Sequence, residues 1–103
     1  MITERRIFQA KTGEATAVVA KCKEAQPMLE KLSYGTGRIY TDFYSGRSDR
    51  VVWEFDHESL GSLENLENGL AKDSELAKAF NSWFTGLKSL IEGAEVELWR
   101  KET

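Results

Sequence analysis

Four segments of this chain alternate in side-chain character at every second residue, and each has two differently furnished sides. One set is largely apolar: Ile7, then Ile39 and Phe43, then Val51, Trp53 and Phe55, then Val96 and Leu98. The interleaved set mixes charge with aromatic rings: Arg6 and Phe8, then Arg38, Tyr40, Asp42 and Tyr44, then Glu54, then Glu97 and Trp99. Successive side chains of a strand point to opposite faces of its sheet. A sheet of these segments offers one face to helices. The other is too polar for a core and too aromatic for an ordinary solvated surface, and function is expected there.

Helical spacing fills the gaps between these strands. The first strand is predicted over 2–11, with Thr12 as N-cap of the helix that follows. From Glu14 to Leu32, the residues Ala15, Val18, Val19, Cys22, Ala25, Leu29 and Leu32 recur every third or fourth position. Pro27 cannot donate to the carbonyl of Lys23, so a kink or break is expected there. Gly35 suits a left-handed cap. A second strand over 37–45 and a third over 50–56 flank the turn cluster Gly46-Arg47-Ser48-Asp49 and form an antiparallel hairpin. Asp56 would cap a helix beginning at His57, with Leu60, Leu63, Leu66 and Leu70 on its buried side and Gly69 helping to end it. Asp73 or Ser74 would cap the next helix, with Leu76, Phe80, Trp83, Leu87, Leu90 and Ile91 as its stripe. Gly93 stops that helix, and the last strand covers 94–101.

The order β-α-β-β-α-α-β reduces to β-α-β-β-α-β with a broken second crossover. That is an α+β, ferredoxin-like arrangement with an antiparallel sheet. Right-handed crossovers put the helices on one face and leave the other bare. Hairpin register decides which residues share that face, because a one-residue slip exchanges them all. The register that joins Tyr40, Asp42 and Tyr44 to Val52 and Glu54 is preferred, since Asp42 unpaired beneath helices would cost several kcal/mol.

The chain reads as a single domain over 1–103. Its 14 Lys and Arg against 17 Asp and Glu leave a net charge of −3, which argues against nucleic acid as a partner. No apolar run reaches the roughly 18 residues of a membrane span, and Met1 to Arg6 does not open like a signal peptide. The expected location is the cytoplasm, with no membrane partner. Cys22 is the single cysteine and reads as a small core residue.

The stretch Gly37-Arg38-Ile39-Tyr40-Thr41-Asp42-Phe43-Tyr44-Ser45-Gly46 leads to Arg50-Val51-Val52-Trp53-Glu54-Phe55. With the element order and the broken crossover, it resembles the dimeric α/β-barrel superfamily, in particular its NIPSNAP-like and antibiotic-biosynthesis-monooxygenase-like domains. The resemblance covers nearly the whole chain. It implies a homodimer with facing sheets and a small-molecule cavity, and it admits a cofactor-independent monooxygenase or isomerase. Haem-degrading members share an Asn, Trp and His set. The chain departs from it, with Arg6 and Phe8 on the first strand and His57 at a strand end.

The candidate ligand-binding residues are Arg6, Arg38, Tyr40, Asp42, Tyr44, Glu54 and Trp99. Arg6 and Arg38 suit a carboxylate or phosphate, or else pair with Asp42, Glu54 or Glu97 across strands. Tyr40, Tyr44 and Trp99 suit an apolar ligand or a dimer interface. Trp53 and Trp83 read as core. His57 reads as a first-turn residue of a surface helix rather than a general base. Glu64, Glu67, Asp73 and Glu75 read as a solvated acidic face, so no metal is expected. No cofactor is expected and no catalytic residue is assigned. The expected partners are a second copy of the chain, through the open sheet face, and a small molecule. The alternatives are a non-catalytic dimerisation module and a single-stranded RNA platform. Arg50-Val51-Val52-Trp53-Glu54-Phe55-Asp56 lacks the basic character that the RNA reading needs.

Overall fold

The computed structural model describes residues 1–103. Strand β1 (Ile2–Ala10) leads to helix α1 (Ala15–Glu30), then β2 (Arg38–Thr41), β3 (Arg50–His57), α2 (Leu60–Lys72), α3 (Ser74–Lys88) and β4 (Ile91–Arg100). The strands form one sheet in the order β2-β3-β1-β4, with every neighbouring pair antiparallel. This is the α+β, ferredoxin-like fold that the element order predicts. No helix is long and apolar enough to cross a membrane.

The second crossover is broken as expected. Asp73 stands between α2 and α3 in an extended conformation, and its carboxylate accepts from the Leu76 N–H at 3.0 Å. Helix α2 starts later than the sequence implies. β3 runs on through His57, and Ser59, not Asp56, caps α2 by accepting from the Ser62 N–H. α2 also continues past Gly69 to Lys72, while α3 ends at Lys88, so β4 begins at Ile91, ahead of Gly93.

Helix α1 begins at Ala15 after Gly13, whose φ is +81°, and Thr12 does not cap it. The helix passes through Pro27 and ends within one turn of it, so the missing N–H removes little. Ser33 takes the left-handed position that closes α1, at φ +61°, and Gly35 is left-handed as well, at φ +75°. The Ser33 N–H donates to Glu30 O at 3.0 Å and the Tyr34 N–H to Leu29 O at 3.1 Å. This is the Schellman pattern, in which the chain folds back over the last turn. It carries Tyr34 back toward the sheet.

Hairpin register follows the preferred reading: Tyr40 lies opposite Val52 and Arg38 opposite Glu54. β2 is short, however, and Phe43 and Tyr44 project from the loop beyond it, 85% and 91% exposed. The helix-covered face holds Ile39, Val51, Trp53 and Phe55 as predicted, with Val96 and Leu98 on the same side of the less covered edge strand β4. Val18, Cys22, Ala25 and Leu29 of α1 close over the sheet, joined by Trp83 and Leu87 of α3. Each large apolar side chain buried this way contributes about 1.5–3 kcal/mol before chain entropy is counted.

β1 is turned over relative to the sequence reading. Glu4 lies opposite Phe55, Arg6 opposite Trp53 and Phe8 opposite Val51, so all three sit on the helix side. Ile7 joins the open face across from Val52. The sequence reading weighed a charge beneath the helices only as an unpaired one. Glu4 does lie there, 1% exposed, because three donors surround it.

Candidate functional site

Two concave regions lie on opposite sides of the sheet. The inner one is a cavity of about 430 Å³ between β1, β3 and the three helices. Its walls include Phe8, Trp53, Phe55, Leu66, Phe80 and Phe84, and only Arg6, Glu67 and Asn81 break their apolar or aromatic character. A volume of this size suits a small organic molecule.

A buried polar cluster stands behind one wall. The Glu4 carboxylate is its centre. Tyr34 donates its hydroxyl to Glu4 Oε1 at 2.8 Å, and His57 Nε2 lies 3.0 Å from the same oxygen. Arg6 Nε donates to Glu4 Oε2 at 2.7 Å. The Tyr34 ring meets His57 and Phe55 edge-on, with centroids 5.1 and 5.0 Å apart. Burial first, and then the Glu4 charge, push the Tyr34 hydroxyl well above its usual range. Tyr34 is therefore held as a neutral phenol.

Arg6 and Tyr34 belong both to this cluster and to the cavity wall. Glu4 engages only the Nε of Arg6, and the two Nη nitrogens donate to no protein group. With 37% of its side chain exposed, Arg6 carries free guanidinium donors at the rim of an otherwise apolar cavity. Trp53 also lines the cavity, and its indole N–H is buried with no acceptor.

The open face is organised differently. Arg38 donates from Nη1 and Nη2 to Asp56 at 2.8 and 3.0 Å and also meets Glu54, so its guanidinium is fully engaged across the strands. The Arg38 guanidinium, followed by the Thr3 hydroxyl, lowers the Asp56 carboxyl to about 2. Glu54 is further held by Arg5 Nε at 3.0 Å. Asp42 accepts from the Ser45 hydroxyl and N–H and pairs with Arg50, and Ser45 is the first cause of its lowered pKa. Trp99 donates to Glu97 at 3.0 Å. Tyr40 and Trp99, about half exposed, flank a shallow groove of about 380 Å³ with Ile7, Val52 and Phe43.

The predicted site residues thus divide. Arg38, Tyr40, Asp42, Glu54 and Trp99 share the open face, Tyr44 stands on the hairpin loop, and Arg6 belongs to the inner cavity. His57 is not a surface-helix residue: it ends β3, 4% exposed, against Glu4. The alternation signals this, since His57 continues the inward series Val51, Trp53, Phe55. Glu4 and Tyr34 were missed. Glu4 shares its parity with Phe8 and Ala10, whereas Tyr34 carries no sequence signal and arrives through the α1 terminus. No three His, Cys, Asp or Glu side chains are grouped to hold a metal ion.

Solved structures share this architecture. An uncharacterized NIPSNAP domain protein from Burkholderia xenovorans superposes with a TM-score of 0.79 at 16% identity, over 98% of this chain and 94% of that one. The chain has the NIPSNAP-like fold. A NIPSNAP family protein of unknown function from Agrobacterium tumefaciens gives 0.75 at 20% identity, over 98% and 87% of the two chains. An antibiotic-biosynthesis-monooxygenase-like protein from Bordetella bronchiseptica gives 0.71 at 13%, over 99% and 97%. No protein-family model matches the sequence, and no curated protein is significantly similar to it. The likeness to these proteins is therefore one of fold, at 13–20% identity.

Proposed function

We propose that this protein binds a small, largely apolar or aromatic molecule bearing one anionic or hydroxyl group, in the cavity between the sheet and the helices. The carrying observation is Arg6, whose Nη donors are free at the edge of a cavity lined almost wholly by apolar and aromatic side chains. A guanidinium fork matches a carboxylate or phosphate in geometry, and Glu4 orients it through Nε. The NIPSNAP-like neighbours are uncharacterised. The similar fold of the Bordetella bronchiseptica protein, named for antibiotic biosynthesis monooxygenases, makes small-molecule oxygenation the reaction class to test first.

The open face supports self-association as part of this reading. Tyr40 and Trp99 are half exposed beside Ile7 and Val52, where charge and aromatic surface alternate. Such residues are enriched in interfaces. The protein would act as a homodimer with its open faces together and a ligand cavity in each subunit.

Native mass spectrometry of gently purified protein tests both parts. A dimer carrying extra mass that is lost on denaturation, and absent from the Arg6→Met variant, is the expected result. Trp99→Glu should yield monomers that retain the extra mass. A monomeric wild type would overturn the dimer. Extra mass unchanged in Arg6→Met would overturn the role of Arg6.

A further inference from the structure

We infer that the cavity takes apolar organic anions together with one proton, the anionic group lying on the Nη donors of Arg6 and the proton on His57. This rests on the binding reading above and adds a ligand class and a pH dependence to it.

The inference comes from how one carboxylate is shared. Glu4 Oε2 holds Arg6, while Oε1 holds both His57 and Tyr34. With a neutral imidazole, Glu4 and Arg6 balance one another. An anion on the free side of the guanidinium draws on the same positive charge that offsets Glu4. The buried cluster then carries excess negative charge in surroundings that screen it weakly. His57 already has Nε2 against Glu4, and its imidazole can take up a second proton on the other ring nitrogen. Protonation there restores the balance, so anion and proton bind with positive coupling.

The groups around His57 agree with this. β1 contributes Glu4 and Arg6, and the turn after α1 contributes Tyr34, already protonated. α2 contributes Glu67, which lies on the cavity wall and acts on the Tyr34 hydroxyl of the cluster. β4 contributes Arg100, opposite Ile2, which in turn lies opposite His57. Glu67 adds a further negative charge and favours the same uptake. Arg100 is exposed, so water screens its opposing charge.

The probes are 8-anilinonaphthalene-1-sulfonate, whose sulfonate stays ionised throughout, and the neutral N-phenyl-1-naphthylamine. Ala77→Phe, which fills the cavity, locates them, and loss of dye binding in that variant is expected. The anionic dye should bind about tenfold tighter at pH 6 than at pH 8, as one linked proton allows. The neutral dye should show no such trend, and His57→Gln should flatten the anionic profile. The chain has one histidine, so its imidazole resonance can be followed by NMR in the unaltered protein even if that variant does not fold. Adding the anionic dye at neutral pH should move it toward the protonated position. Arg6-dependent binding with a flat pH profile and an unmoved resonance would overturn the inference and leave the binding reading standing. A profile that persists in His57→Gln but vanishes in Glu67→Gln would overturn it in favour of Glu67. Failure of both dyes to enter the cavity would overturn the binding reading as well.

Discussion

Glu4 Oε1 and His57 Nε2 lie 3.0 Å apart beneath the helices, at 1% and 4% exposure, on adjacent strands. They are diagonal neighbours in the ladder, since Glu4 faces Phe55 and His57 faces Ile2. A buried acid is tolerated only when donors replace the water it has lost. His57, Tyr34 and Arg6 do so, and Glu4 thereby ties both ends of the cluster to the cavity wall.

Removing the acid should therefore cost more than removing one contact. Glu4→Leu strands three donors, one of them a full positive charge, and should destabilise the fold by about 3–5 kcal/mol. Glu4→Gln keeps one acceptor and should cost about 1–3 kcal/mol. Urea denaturation compares the two. Equal and negligible losses would mean that Glu4 does not organise the cluster.

Gly37 lies against the buried aromatic layer. A Cβ added there would overlap Trp53 Nε1 and meet Phe55 Cε1 at 2.6 Å, both on rings buried in the core. Gln26 pins the backbone on the other side, accepting from the Gly37 N–H and donating to Gly35 O. Gly37→Ala should thus destabilise by about 1–3 kcal/mol, the usual cost of overpacking, read as a lower thermal midpoint. An unchanged midpoint would show that β2 shifts freely.

Asp56 sets an acid limit on the open face. Its folded value, about 2, lies below its ordinary 3.8. A depressed carboxyl contributes stability that is fully present above the unfolded value and is lost as pH falls through the folded one. The loss therefore falls between 3.8 and about 2. The pair is partly exposed, so the effect should stay near or below about 1 kcal/mol. Asp56→Asn should lower stability at neutral pH and converge with wild type in strong acid. Parallel curves throughout would remove the Arg38 pair as their source.

Cys22 is fully buried in the core, and burial pushes its thiol up to about 12. Thiolate is the reactive form, so a disulfide reagent should modify Cys22 only as fast as the fold opens. Labelling as rapid as in urea would mean that α1 is loosely docked.

Much of the fold was legible because it is local. Two-residue alternation marked the strands and three-to-four-residue spacing marked the helices. The Asp73 break and the hairpin register followed from capping chemistry and from the cost of burying an unpaired charge. The sidedness of β1 was not legible. Judged alone, Glu4 and Arg6 look like open-face residues, and only the arrival of Tyr34 from the α1 terminus and His57 from the end of β3 lets Glu4 be buried beneath the helices. That compensation joins groups up to 53 positions apart in the chain, so no local pattern encodes it. The sequence by itself determined the layers and the order of elements. The tertiary structure decided which arginine has donors to spare: Arg38 is consumed by acids on neighbouring strands, while Arg6 meets Glu4 beneath the helices through Nε alone and keeps two nitrogens free beside an apolar cavity.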